Sequence, residues 1–291
     1  MAEPEDGGTD EVEDRPWRLA IEHVTSFSYA EPVRSSFNEV RMAPLTTARQ
    51  NALRADVFTA PLTAAYWYTD YWGTRVLAFD IAQPHVALEI RAAATVDTGP
   101  APEVPVNASW DEVERVADRF AEYLAPTAYT RCDDNLDDIG GELRRDTPLG
   151  TVEAVLSWVY EAIAYEQGVT SVHTSAPEVV AAGKGVCQDR AHVAMALLRW
   201  SGIPARYVSG YLHPHLDPVI GDTVDGQSHA WMEVWTGGWW ESDPTNPGTV
   251  GRRHVTVGRG RDYGDVAPLK GIYAGGSENE MTTVVRITRQ M

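Results

Sequence analysis

Three short segments hold residue types that together could attack a carbonyl group. The first is Gly183-Lys184-Gly185-Val186-Cys187-Gln188-Asp189-Arg190-Ala191-His192, followed by Val193, Ala194, Ala196, Leu197, Leu198 and Trp200. Glycines leading into an apolar run predict a loop that turns into a buried helix with Cys187 at its start. Unpaired backbone N–H groups and the positive end of the helix dipole converge on a side chain placed there. A thiol so placed can have its pKa drawn from about 8.5 into a range of roughly 3.5–7.5, which makes thiolate available near neutrality. The same N–H groups could hold a tetrahedral oxyanion. An isolated cysteine is more often a small buried hydrophobe, so the other two segments decide the reading.

Ser228-His229-Ala230-Trp231-Met232-Glu233-Val234-Trp235 alternates as a strand, Gly237-Gly238 makes a turn, and Trp239-Trp240-Glu241-Ser242-Asp243-Pro244-Thr245 returns. A tight hairpin brings His229 and Asp243 near the open ends of neighbouring strands, where cross-strand residues lie about 5 Å apart. A carboxylate accepting from one imidazole nitrogen leaves the other free to exchange a proton with a thiol. Cys187, His229 and Asp243 therefore read as a nucleophile, a base and an orienting acid. Gln188 is a candidate donor near the oxyanion. Trp231, on the same strand face as His229, is a candidate wall of the site, with core packing as the plainer reading. His192, well around the helix from Cys187, reads as packing.

The elements that must position these groups fall into two parts. From Trp17 to about residue 98 the pattern is strand-like: Ile21–Tyr29 and Ala87–Ala92 alternate, and Tyr66–Gly73 is aromatic and β-favouring up to a turn glycine. An antiparallel β domain is expected, as a sandwich. Gly99-Pro100-Ala101-Pro102-Glu103-Val104-Pro105 opens a linker covering 99–108. Ser109 with Glu112 is a capping box, and Val113, Val116, Ala117, Phe120 and Leu124 then recur at helical spacing as far as Pro126. A second amphipathic helix is expected from near Thr151. These place a catalytic core at 109–250 and a C-terminal segment, 251–291, whose strands are expected to pack on that core. Residues 1–16 read as an acidic solvated tail, with seven acids in the first 14 positions.

Composition narrows the function. The chain of 291 residues has 24 basic and 42 acidic side chains, a formal net charge of −18, so binding nucleic acid through a basic face is excluded. Among the bases only Lys184 and Lys270 are lysines, a bias that a GC-rich genome or a salt-adapted cytoplasm would each explain. No apolar stretch approaches the roughly 18–20 residues of a membrane-spanning helix, and the acidic start is unlike a signal peptide. A cytoplasmic protein with no membrane partner is expected. Two cysteines, Cys132 and Cys187, make neither a disulfide framework nor a zinc site. His213, His215 and Asp217 have metal-ligand types without a supporting cluster, and no calcium-loop pattern occurs. The expectation is no metal and no cofactor.

The blocks GVCQDRAH, RWSGIPARYVSGY, SHAWMEV and DPTN resemble the core of the bacterial transglutaminase-like superfamily. Upstream, His23-Val-Thr, Tyr29, Asn38-Glu39-Val40-Arg41, Asp70-Tyr-Trp-Gly73 and Pro84-His85 resemble the β domain that precedes this core. Gly260–Pro268 resembles the family's C-terminal segment. The resemblance implies an α+β, papain-like fold, with the cysteine helix packed against an antiparallel sheet that carries the histidine and the aspartate. It implies cysteine-dependent acyl transfer on protein or peptide amides through a thioester. Water as the second nucleophile gives the protease or amidase that members are often described as, and an amine gives a transglutaminase. A binding module that retains the triad without turnover is the alternative from another class.

Overall fold

The computed structural model describes residues 15–101, 103–104, 107–246, 248, 250–276 and 279–291. The acidic tail expected at 1–16 lies outside these, apart from its last two positions. Strands β1 (Trp17–Val40), β2 (Gln50–Ala60), β3 (Ala65–Thr69), β4 (Arg75–Ile81) and β5 (His85–Thr98) come first. The helical part follows with α1 (Trp110–Arg115), α2 (Ala121–Leu124), α3 (Asp134–Leu143) and α4 (Pro148–Ala162). Short β6 (Ala164–Tyr165), α5 (Ala176–Ala182) and β7 (Lys184–Gly185) lead into α6 (Cys187–Trp200). Then come β8 (Ala205–Leu212), β9 (Thr223–Asp225), β10 (Gln227–Trp235), β11 (Trp239–Ser242), β12 (His254–Gly260), α7 (Tyr263–Val266), β13 (Leu269–Gly275) and β14 (Asn279–Arg289).

The long strand β1 organises the N-terminal part. Its first half lies between β5 and β14, with Ile21 opposite both Ala94 and Ile287. Its second half lies between β4 and β13, with Asn38 opposite Phe79 and Gly271. Register shifts between Ser28 and Val33 mark the change of partners. An irregularity of this kind bends a strand and sharpens its twist. The expected two-sheet sandwich is instead one eight-stranded antiparallel sheet that curves through β1. Aromatic β3 stops at Thr69, because the Asp70 carboxylate accepts from the backbone N–H groups of Trp72 and Thr74 and folds the chain into a turn.

The second sheet has four strands in the order β11-β10-β8-β12. Ala205 and Tyr207 of β8 and Ala230, Met232 and Val234 of β10 pack with α4 and α6 in the largest apolar cluster. Tyr211, Val255 and Val257 pack instead against Leu19, Ile21, Val285 and Ile287 of the first sheet. The catalytic-type sheet is thus held between helices on one side and the N-terminal sheet on the other, and burial of both faces is what makes its strands nearly continuous in apolar residues. The C-terminal segment divides in its strand pairing, although Val285 and Ile287 still pack on Tyr211 and Val255. β12 joins the four-stranded sheet, whereas β13 and β14 pair with β1.

Local signals account for the helices. Ser109 and Glu112 form the capping box of α1, with the Ser109 N–H donating to Glu112 Oε2 at 2.8 Å. The helix expected as far as Pro126 breaks after Arg115, and the break lets Phe120 and Tyr123 both meet the edge of Trp239 on β11. α4 begins three residues before Thr151, with Pro148 at its first turn and the Thr147 hydroxyl accepting from Gly150 N–H. Gly183 caps α5 at φ +64°, a backbone geometry that favours glycine, and turns the chain toward Cys187.

Candidate active site

Cys187 is the first residue of α6, and Asp189 fixes the loop that delivers it. Asp189 Oδ2 accepts from Val186 N–H at 2.7 Å and from Thr170 Oγ1 at 2.6 Å. Burial raises the Asp189 pKa, and these two bonds only partly oppose it. The approach is tight: a side chain at Gly185 would meet Asp189 Oδ2 at 2.7 Å.

Across from the helix start, β10 presents His229. Its Nε2 donates to Asp243 Oδ2 at 2.7 Å, which leaves the other ring nitrogen free, and the Cys187 side chain is close enough to favour the charged imidazole. Asp243 follows the end of β11, and its carboxylate is saturated with donors. Oδ1 accepts from the backbone N–H groups of Thr245 at 2.8 Å and Asn246 at 3.2 Å. Oδ2 accepts from Asn246 Nδ2 at 2.9 Å and from His254 Nε2 at 3.2 Å as well as from His229. Burial alone would raise the Asp243 pKa, but the two imidazole bonds outweigh it and hold the acid well below the usual carboxylate range. Burial likewise pulls His229 down, and Asp243 and Cys187 together overcome it, lifting this histidine from 6.5 to about 10. His254 goes the other way: burial wins over Asp243, and it stays below 6.5 as a neutral donor.

The site is braced from behind and from the N-terminal sheet. Trp231 is fully buried, stacks on the His229 ring at 5.8 Å and meets His254 edge-on at 5.3 Å. Without exposed surface and stacked on the imidazole, it supports His229 from within the core. Gly210, paired with His229, lets these rings in, because a Cβ there would lie 2.6 Å from Trp231 and 2.0 Å from the Val255 carbonyl oxygen. Arg49, from the loop before β2, donates to Glu241 Oε2 at 2.9 Å and to the His254 carbonyl at 2.8 Å.

Other sequence candidates sit elsewhere. Gln188 donates its amide to the Val172 carbonyl at 3.2 Å. His192 is buried between Tyr129 and Tyr207, accepts from Tyr263 N–H at 3.2 Å and is pushed by burial down to about 3. His213 is buried and accepts from His215 N–H, while the Asp217 side chain is exposed, so these residues form no cluster. Among the described residues the group that could share an ion is His229, Asp243 and His254, with ligand atoms within 4.8 Å of one another. The nitrogens approach the carboxylate oxygen at 2.7 and 3.2 Å. Two ligands on one zinc ion at about 2.0–2.2 Å each need wider separation than the shorter of these. The arrangement is a hydrogen-bonded one. Both cysteines are free thiols.

Sequence reasoning missed His254, Asn246 and Arg190. Asn246 was within the DPTN block, and its distance of three residues from Asp243 was the available signal. His254 opens a strand that no motif marked.

A cavity of about 430 Å³ opens beside His229, walled by Tyr160, Tyr165, Arg190, Thr245 and Asn246 among others. Its position and polar lining suit a substrate cleft. Among the described residues no helix is long and apolar enough to cross a membrane.

Comparison with known proteins matches residues 138–244 to the transglutaminase-like superfamily and residues 19–97 to the bacterial transglutaminase-like N-terminal region. An uncharacterized protein of Mycobacterium leprae (strain TN) is 44% identical over 276 residues, covering 94% of this chain and 99% of its own length. An uncharacterized protein of Mycobacterium tuberculosis (strain ATCC 25618 / H37Rv) is 33% identical over 303 residues, covering 92% of this chain and 91% of its own. A crystal structure from Cytophaga hutchinsonii, described as a "Putative Cysteine Protease", superposes with a TM-score of 0.76 at 23% identity, covering 94% of this chain and 91% of the other. That similarity carries the fold, with the N-terminal β part and the core together.

Proposed function

The chain belongs to the transglutaminase-like superfamily, and from that premise we propose that it is a cysteine-dependent enzyme that cleaves protein or peptide amides through a thioester. The observation that carries this reading is the 2.7 Å hydrogen bond from His229 to the saturated carboxylate of Asp243, with Cys187 at the start of α6 acting electrostatically on the same imidazole. The pairing with Asp243 raises the His229 pKa to about 10, so the imidazole is a ready proton donor to a leaving amine, and a thiolate is the attacking species in such chemistry.

In the first half-reaction the Cys187 sulfur attacks the carbonyl carbon, and the C=O electrons move onto oxygen. The unpaired backbone N–H groups at the start of α6 are the donors this reading assigns to that oxyanion. Collapse breaks the C–N bond, and the His229 proton goes to the departing amine or ammonia. In the second half, water loses its proton to His229 as it attacks the thioester, the C–S bond breaks and the carboxylic acid leaves. His254 and Asn246 fix the Asp243 oxygen on which His229 pivots. The open, polar cavity beside His229 supports water as the second nucleophile. A primary amine in place of water would give amide exchange by the same route.

Mass spectrometry of enzyme quenched during turnover of a glutamine-containing protein tests this. An acyl adduct on Cys187 is expected in the wild type and none in Cys187→Ala. Ammonia or fragments released without incorporation of a labelled primary amine mark hydrolysis, and incorporation marks transfer. A Cys187 thiol that alkylates no faster than free cysteine at any pH sinks the proposal and leaves the binding-module alternative.

A further inference from the structure

Arg190 lies on α6, three residues after Cys187, and its guanidinium borders the cavity beside His229. The side chain is almost entirely buried, at 5% exposure, yet it has no carboxylate partner within ion-pair distance among the described residues. Its contacts are two backbone carbonyls, of Ile163 and, at 3.4 Å, of Thr245. An arginine offers five N–H donors, so most remain unused, and Nε is buried with no partner at all. Tyr160 and Tyr165 flank the guanidinium at 5.3 and 5.8 Å from their ring centres. They offer their π faces and no full countercharge.

The position is unfavourable for a cation on general grounds. The first turn of a helix carries the positive end of the dipole, which disfavours arginine there. Burial adds a desolvation penalty that lowers the Arg190 pKa, and the charges of the flanking tyrosines and of Asp243, already committed to two imidazoles, offset it only in part. No residue lining the cavity is an Asp or a Glu, and no other lysine or arginine lines it. In a chain of net charge −18 an anionic ligand meets repulsion over most of the surface. One buried, under-used cation beside the nucleophile changes that balance locally.

We propose that Arg190 is the specificity residue of the cleft and binds a carboxylate carried by the acyl substrate next to the amide that is cleaved. The substrate class is then a peptide with an acidic side chain or a free terminal carboxylate at the residue adjoining the scissile bond. Planar guanidinium and carboxylate pair through two parallel hydrogen bonds, which fixes orientation as well as charge. The half-exposed rings of Tyr160 and Tyr165 form the sides of the slot, and Asn246 and Gln227 supply neutral polar contacts. This inference rests on the acyl-transfer reading given above.

Iodoacetate and iodoacetamide are near-isosteric alkylating agents that differ in charge, and both report on Cys187 without a known substrate. The ratio of their second-order rates is expected to fall about tenfold from wild type to Arg190→Gln, and to stay within a few-fold in Arg190→Lys. Matched peptides with Glu or Gln beside the scissile amide are expected to show at least a tenfold preference for Glu in the wild type, weakened by rising salt. An unchanged alkylation ratio in Arg190→Gln overturns the proposal. If that variant does not fold, the wild-type Glu/Gln preference decides alone, and equal turnover of the two peptides overturns it. Rapid alkylation with no charge preference removes only the role of Arg190. Slow alkylation by both reagents in the wild type removes the catalytic reading instead.

Discussion

Helix α6 carries two buried arginines, nine residues apart, and the chain treats them in opposite ways. Arg199, in the last turn, uses every donor: Nε and Nη2 to Ala205 O, Nη2 also to Arg261 O at 2.6 Å, and Nη1 to Thr130 Oγ1 and Ala125 O. It also sits at the helix end whose dipole favours a cation. Arg190, in the first turn, has the unfavourable end and most of its donors idle. Neither has an ion pair, so lack of a carboxylate is not by itself the sign of a binding group. What separates them is saturation. Where the core needs a buried cation it surrounds it with carbonyls, and the unsaturated one stands at the cleft.

The sharpest way to break that contrast is thermodynamic. Arg199→Met strips a hub that joins the helix end to β8, to the residue after β12 and to the loop before α3, leaving buried carbonyls without donors. Unsatisfied buried polar groups cost about 1–3 kcal/mol each, so a loss of roughly 3 kcal/mol or more in urea unfolding is expected. Arg190→Met leaves one buried carbonyl, that of Ile163, without this donor, and loses only a long contact to the Thr245 carbonyl, so it is expected to cost about 1–2 kcal/mol, clearly less than Arg199→Met. Equal losses would make Arg190 a strut like Arg199.

Two histidines extend the contrast to pH. His192, within α6, is pushed by burial down to about 3, whereas His229, facing its start, is lifted to about 10 by Asp243 and Cys187. A depressed histidine binds its proton more readily when unfolded, so stability falls as pH drops from 6.5 toward 3. A raised histidine stabilises fully below 6.5, and that contribution is lost as pH climbs toward 10. Unfolding free energy is therefore expected to peak near pH 6.5, with His192→Asn flattening the acid limb and Asp243→Asn the alkaline one. Asp243→Asn should also move the alkaline limb of any activity profile downward by more than one pH unit. A limb unmoved by that substitution would break the link between His229 and Asp243.

The line of chemistry from Cys187 to Asp243 was legible because each member sits in a short segment whose local pattern announces it: glycines before a helix, alternation before a turn. Long-range partners carried no such mark. His254 reaches Asp243 only because β12 pairs with β8, and Arg49 reaches Glu241 from a loop nearly two hundred residues earlier. Trp231 was placed on the right face, but which side of that face meets solvent depends on Val208 and Val250 packing over it. The N-terminal strands were readable by alternation, while the change of partners along β1 and the insertion of β13 and β14 beside it are matters of tertiary pairing. The break after Arg115 overrode a good helical repeat, since packing of Phe120 and Tyr123 on Trp239 outweighs a few residues of propensity.

The smallest expected effect concerns the second thiol that meets the same helix, from the loop before α3. Cys132 lies half-buried against α6, donating to Ala196 O at 3.6 Å, far from the helix start that serves Cys187. Burial, helped by the nearby Asp137 and Asp133 charges, raises its pKa to about 11. Since reactivity follows the thiolate fraction, about one Cys132 in ten thousand is ionised at pH 7. Limiting iodoacetamide at that pH should therefore label Cys187 alone, and Cys132→Ala should leave both the labelling rate and turnover unchanged within error. The difference lies in what each sulfur faces, an imidazolium in one case and a carbonyl with two acids in the other. A Cys132 that competes for label at neutral pH would show that position along α6 does not set thiol reactivity in this protein, and the contrast between the helix's two ends would lose its chemical half.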